Sequence, residues 1–256
     1  MSVGLTFSDA SAVYLCRLTG HRVAMQTLGS LDELYEYAPE VDRKYGDFLQ
    51  DLSVELGCEF KQGPLKERAI AENKIDDDYE GNEALISDIV RGKLVVDSVE
   101  ALQELLVLLD PQKDPSGLLK QHGMHSAQMN NYFAEPKYET GYRCLNVKLA
   151  VPLDGMEDEY FLVELQVVHK DIEATYDTTH KHMREAQNIT NACRDRPMTQ
   201  QDVARRHGHY AVCRFHNASA ARQAGLDVLL NNPGDAPSDE RLASLDRWIR
   251  HHRFDY

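Results

Sequence analysis

The chain has 256 residues and a formal net charge of −14. That length is enough for one large domain with appendages rather than a small stapled scaffold. The acidity opposes broad, sequence-independent binding to nucleic acid, which draws on phosphate neutralisation by Lys and Arg. Cys16, Cys58, Cys144, Cys193 and Cys213 form no C-x-x-C pair, which argues against a zinc ribbon or a disulfide framework and for a reducing cytoplasm. No long apolar run and no Sec-type start occur in the sequence. Membrane insertion is therefore not expected, while export by a route that reads no N-terminal signal stays open.

In chain order, residues 31–57 carry Leu31, Leu34, Tyr35, Tyr45, Phe48, Leu49, Leu52 and Leu56 at helical spacing. They predict two amphipathic helices broken near Pro39. A helix over 64–75 follows, with Pro64 near its first turn, then a turn at Asp76-Asp77-Asp78 and a bend at Tyr79-Glu80-Gly81. The β-branched run 86–96 predicts a strand with Asp88 at its start. Ser98 is expected to cap a helix Val99–Leu109. The stretch Asp110–Gly117 is a loop, 118–129 is ambiguous, and Tyr132–Pro136 predicts a strand or turn. Strands near 145–151 and over 160–168 are joined by a tight turn, and helix is expected from about 170 to 194. Strands separated by helices, with one hairpin, predict an α+β fold with a mixed sheet. Beyond residue 197 come a polar helix, a Pro/Gly/Asp loop at 231–240 and a short helix Glu240–His252.

Two carboxylates stand out. Phe161, Val163, Leu165 and Val167 alternate with Leu162, Glu164, Gln166 and Val168, so Glu164 is a charge on an otherwise buried strand. Asp88 opens a second apolar run. Carboxylates on separate strands suit a hard divalent cation held against a nucleotide phosphate chain. Lys61, Lys66, Arg68, Lys74, Arg91 and Lys93 concentrate positive charge in one stretch of an acidic chain, which fits a compact polyphosphate as well as a solvated helix face.

The motifs Gly-Pro-Leu-Lys (63–66), Ser-Asp-Ile-Val-Arg-Gly-Lys (87–93), Asn-Tyr-x-x-x-Pro-Lys (131–137), Gly-Tyr-Arg-Cys-Leu-Asn (141–146) and Val-Glu-Leu-Gln-Val (163–167) occur in this order. Together they resemble the synthetase domain of the RelA/SpoT group of alarmone synthetases, over roughly residues 60–185, and its divergent small-synthetase and toxin or effector members. The resemblance implies a nucleotidyltransferase-like mixed sheet flanked by helices. It divides the chain into an N-terminal extension 1–30, a synthetase domain 31–195 and a C-terminal helical extension 196–256. It also implies Mg²⁺-dependent transfer of pyrophosphate from ATP to a hydroxyl of a GTP-, GDP- or ADP-like acceptor.

Carried over residue by residue, the resemblance gives Asp88 and Glu164 as metal-holding and catalytic, with Gln166 beside them. Lys66, Arg68, Lys74, Arg91 and Lys93 would face ATP phosphates. Lys137, Tyr142, Arg143 and Asn146 would meet the acceptor, Tyr142 by stacking on its base. Three departures bear on the acceptor. Cys144 and Asn146 stand where the family has serine and histidine, and Val168 where it has arginine; Lys93 also replaces a usual arginine. The departures leave a tRNA acceptor open, against the net charge, as well as an inactive nucleotide-binding module engaging a protein partner through 196–256. The paired histidines His180/His182, His207/His209 and His251-His252 are expected to be surface or core residues rather than metal ligands.

Overall fold

The computed structural model describes residues 13–15, 22–109, 116–133, 136–156 and 158–226. The described residues fall into two compact units, one within 1–131 and 144–170, the other within 132–143 and 171–256.

The first unit holds a five-stranded mixed sheet. Its strands are β3 (Glu59–Gln62), β4 (Arg91–Val96), β5 (His125–Asn131), β6 (Leu145–Pro152) and β7 (Tyr160–His169), in the order β3-β4-β7-β6-β5. The β4–β7 pair is parallel and the others are antiparallel. A separate ribbon pairs β1 (Val13–Leu15) with β2 (Arg22–Ala24). The α+β fold and the hairpin joining β6 to β7 agree with expectation. The short β3 and the β1–β2 ribbon do not follow from the sequence pattern, since Glu-Phe-Lys-Gln and the two three-residue strands are too short to show a period.

Helix α1 (Leu31–Leu56) is continuous, not two helices. Pro39 costs one backbone hydrogen bond, an interior penalty of about 3 kcal/mol. The stripe Leu34, Ala38, Val41, Tyr45, Phe48, Leu49 and Leu52 is completely buried on both sides of it, and burial at about 1.5–3 kcal/mol per large side chain outweighs the loss. Ser30 and Glu33 form a reciprocal capping box at its start. Helix α2 is Arg68–Tyr79, displaced from the expected 64–75. Pro64 lies in the extended segment before it, and Asp76–Asp78 form its last turn, with the bend made at Glu80 and Gly81, both at positive φ. Helix α3 (Val99–Leu108) carries the expected Ser98 cap, whose side chain accepts from the Ala101 N–H at 3.2 Å. The ambiguous 118–129 resolves into α4 (Leu118–Gln121) and most of β5, which ends at Asn131, so Tyr132 is in a turn.

The strand expected over 86–96 begins only at Arg91. Pairing with β3 ends at Gln62↔Gly92. Upstream, the Ile89 carbonyl accepts from Lys66 N–H, at 2.9 Å, and the Val90 carbonyl from Glu164 N–H, at 3.0 Å. Asp88 therefore lies on an irregular segment fastened between a loop and β7, not on a strand.

The second unit contains α6 (Tyr176–Asn191) and α7 (Gln200–Gln223); the short α5 (Lys170–Glu173) precedes them. The helix expected from 170 to 194 is thus interrupted near Thr175, whose hydroxyl turns back to the Ile172 carbonyl at 2.8 Å. Between α6 and α7, Cys213 Sγ meets the Thr179 carbonyl at 3.2 Å and the Nδ1 atoms of His182 and His209 approach to 2.9 Å. The expected loop 231–240 and helix Glu240–His252 lie outside the described residues. Among the described residues no helix is long and apolar enough to cross a membrane, and Cys58, Cys144, Cys193 and Cys213 are free thiols.

Candidate functional site

The alternation of β4, β6 and β7 gives the sheet two unlike faces. Leu94, Val147, Leu149, Val163, Leu165 and Val167 are buried; Gly92 shares their face, against Tyr45 and Leu49 of α1. The opposite face carries polar rungs, because directly paired residues point the same way. One rung runs Arg91–Glu164–Lys148–Gln128 across β4, β7, β6 and β5. The next runs Lys61–Lys93–Gln166–Asn146–Asn130 across all five strands. Apolar residues bound both ends. Ala24, Ala127, Ala150 and Leu162 form a small buried cluster on one side, and the Val95–Val168 rung, with Cys144 buried nearby, lies on the other.

Glu164 is held at both oxygens. Asn146 Nδ2 donates to Oε2 at 2.9 Å and Gln166 Nε2 to Oε1 at 2.7 Å. Each amide leaves a carboxylate lone pair available, and among the described residues the side chain is oriented without an ion pair. Asn146 thus has a local role that the substitution alone does not suggest.

Asp88 is buried, and its Oδ2 receives both Lys66 Nζ at 2.9 Å and Lys74 Nζ at 2.8 Å. Burial by itself would raise the carboxyl pKa, but Lys74 and Lys66 bring it below the ordinary value. For Lys74 burial works against the ammonium, yet Asp88 holds its pKa above the usual lysine value. Asp88 Oδ1 is sealed from solvent with no hydrogen-bond partner among the described residues. A buried oxygen left unpartnered in this way is a candidate cation ligand. Glu164 adds to the field at Lys74, and both carboxylates act on Lys148, so the Asp88 cluster and the polar rungs share one electrostatic neighbourhood.

Lys148 is a residue that sequence reasoning missed. It is buried, and burial first, then Lys74, lowers its pKa against the pull of Glu164 and Asp88. The signal was available: Asn146 and Lys148 alternate with Leu145, Val147 and Leu149 just as Glu164 and Gln166 alternate with apolar residues on β7.

Not every expected residue joins this group. Arg68 is exposed, pairs with Asp32 and with Glu72, and lies over the Tyr35 ring. Lys137, Tyr142 and Arg143 belong to the second unit. There Lys137 N–H donates to the Tyr142 carbonyl at 3.0 Å, its ammonium lies 5.1 Å from the Tyr132 ring centroid, and Arg143 donates to the Phe133 carbonyl at 2.7 Å. Gly141 turns this loop at φ 65°, where a side chain would be strained. The Asn217 amide holds the neighbouring Thr140 carbonyl at 3.0 Å.

Small alarmone synthetase 1 from Bacillus subtilis superposes with a TM-score of 0.51 at 14% identity, covering 86% of this chain and 96% of that one. The fold is that of an alarmone synthetase. The same Bacillus protein bound to its product pppGpp gives 0.49 at 14% identity, with 85% and 95% covered. The Type VI effector Tas1, in complex with its immunity protein, gives 0.42 at 17% identity, with 75% and 96% covered. No family model and no curated protein sequence matches the chain.

Proposed function

We propose that this protein transfers a pyrophosphoryl group from ATP to a hydroxyl of a guanosine or adenosine nucleotide. The observation that carries it is the charge composition of the polar sheet face together with the Asp88 cluster that shares its electrostatic neighbourhood. Lys66, Lys74, Arg91, Lys93 and Lys148 outnumber the carboxylates Asp88 and Glu164 there, in a chain whose net charge is −14. That excess fits a compact polyanion, and the alarmone-synthetase fold supports the same chemistry.

In the transfer the acceptor oxygen bonds to the β-phosphorus, the bond from that phosphorus to the α–β bridging oxygen breaks, and AMP leaves with the bridging oxygen. Glu164, fixed by Asn146 and Gln166, presents a lone pair toward the attacking hydroxyl and takes its proton. Lys66 and Lys74 neutralise phosphate charge from the Asp88 side, and Arg91 and Lys93 from β4. The unpaired Asp88 Oδ1 and the oxygen-only pair Asp88/Glu164 fit Mg²⁺, which binds through one or two carboxylates plus substrate phosphates. When bound, Mg²⁺ would offset the charge that develops on the phosphate oxygens. Lys137, Tyr142 and Arg143 are assigned to the acceptor, Tyr142 by stacking, worth about 1–3 kcal/mol by analogy with other base–aromatic contacts. We assign the transfer to residues 31–195 and leave 196–256 as a helical extension open to a protein partner.

The test is AMP release from ATP and Mg²⁺ with GDP, GTP, ADP or tRNA supplied singly. AMP formed with a free nucleotide supports the proposal. Formation with tRNA alone would move the acceptor class, and tight ATP binding without AMP from any acceptor would make the protein a nucleotide-binding module.

A further inference from the structure

Lys148 is 8% exposed and projects from β6, between Glu164 on β7 and Gln128 on β5. Buried ammonium groups are ordinarily satisfied by a carboxylate, because an unpaired charge away from water is costly. Here neither neighbouring carboxylate is bonded to it. Asn146 and Gln166 hold the two oxygens of Glu164, and Lys66 and Lys74 share Asp88 Oδ2. Among the described residues Lys148 Nζ makes no hydrogen bond and no ion pair. On the same face β7 offers no cation, since Glu164, Gln166 and Val168 follow one another there.

We propose that Lys148 is a phosphate-binding residue whose ammonium contacts the polyphosphate of the nucleoside triphosphate donor, beside Glu164. This rests on the transfer reaction proposed above for its setting, but not for its test. A buried cation left open, one rung position from a held carboxylate, matches a ligand with several negative oxygens and not a neutral base. The anion supplies the partner that the fold withholds.

The experiment compares equilibrium binding of the non-hydrolysable analogue AMPCPP and of AMP to wild type, Lys148→Met, Lys148→Gln and Lys148→Arg, with Mg²⁺ present. Removing one charge-assisted hydrogen bond should weaken AMPCPP binding at least about tenfold in Lys148→Met and Lys148→Gln. Lys148→Arg should recover to within about threefold of wild type, and AMP binding should change by less than about twofold, as AMP lacks the transferred phosphates. Both uncharged variants should fold with a thermal midpoint no lower than wild type, because Lys148 makes no ion pair or hydrogen bond among the described residues whose loss would cost stability. Unaltered AMPCPP affinity, an equal loss for AMP, or failure of both uncharged variants to fold would each overturn the assignment. A wild type that binds AMPCPP but releases no AMP with any acceptor would end the transfer proposal and leave Lys148 to be judged by binding alone.

Discussion

Asp88 and Glu164 are positioned by different means, and their variants should differ accordingly. Asp88 is balanced between two ammonium groups, whereas Glu164 is held by amides. Asp88→Asn and Glu164→Gln should each reduce AMP release from ATP by about 100-fold or more, the size expected when transition-state electrostatics are removed. Rates within about threefold of wild type would eliminate the catalytic role. Glu164→Gln carries an added penalty, since its own amide nitrogen would face an amide donor from Asn146 or Gln166. The Asp88 cluster also has a pH signature. Its native pKa is lowered, so its stabilisation is complete above the unfolded value near 3.8 and is lost as pH falls through the native value. Unfolding midpoints followed from neutral pH to about pH 2 should fall more steeply for wild type than for Asp88→Asn. Parallel curves would show that the lysines do not act through this carboxylate. The two carboxylates were legible because a charge breaks an apolar period. The engagement of Asn146 with Glu164 and the isolation of Lys148 were not, because rung partners on β6 and β7 are set by the hairpin register and not by either strand alone.

At the scale of elements, the polar face depends on how closely α1 packs against the other one. A Cβ added at Gly92 would lie 2.5 Å from Leu49 Cδ1 and 3.1 Å from Tyr45 Oη. Tyr45 Oη donates to the main-chain carbonyl of Glu164 at 3.0 Å, so displacing its ring disturbs the strand that carries the carboxylate. Gly92→Ala should destabilise by about 1–3 kcal/mol in denaturant titration, the usual range for overpacking. Adding Leu49→Ala should cost less in this background than in wild type, because it opens the space the new methyl needs. Strict additivity of the two substitutions would mean that the contact does not limit the approach. The same packing explains what sequence periodicity could and could not give. It showed the β6–β7 hairpin and the buried stripe of α1, where many residues repeat one pattern. It put a break at Pro39 where α1 runs on, and started β4 too early, because burial on both sides carries the helix through the proline, and because the partners of Ile89 and Val90 are a loop and a distant strand.

For the molecule as a whole, a net charge of −14 repels an ATP polyanion while the polar face of the sheet attracts it. Screening acts on both, over about 8–10 Å at moderate salt, so ionic strength alone cannot tell a local pocket from the general field. Charge reversal at two places can. Lys93→Glu and Arg205→Glu each make the chain more acidic by the same amount, but Lys93 lies on the rung with Gln166 and Asn146, whereas Arg205 is an exposed residue of α7. If the local face dominates, Lys93→Glu should weaken AMPCPP binding by about tenfold or more and flatten its dependence on salt, as one attractive charge pair is replaced by a repulsive one. Arg205→Glu should leave affinity within about twofold and its salt dependence parallel to wild type. Equal losses for the two would make the general field the controlling factor, and a larger loss for Arg205→Glu would relocate the polyphosphate site to the helical unit.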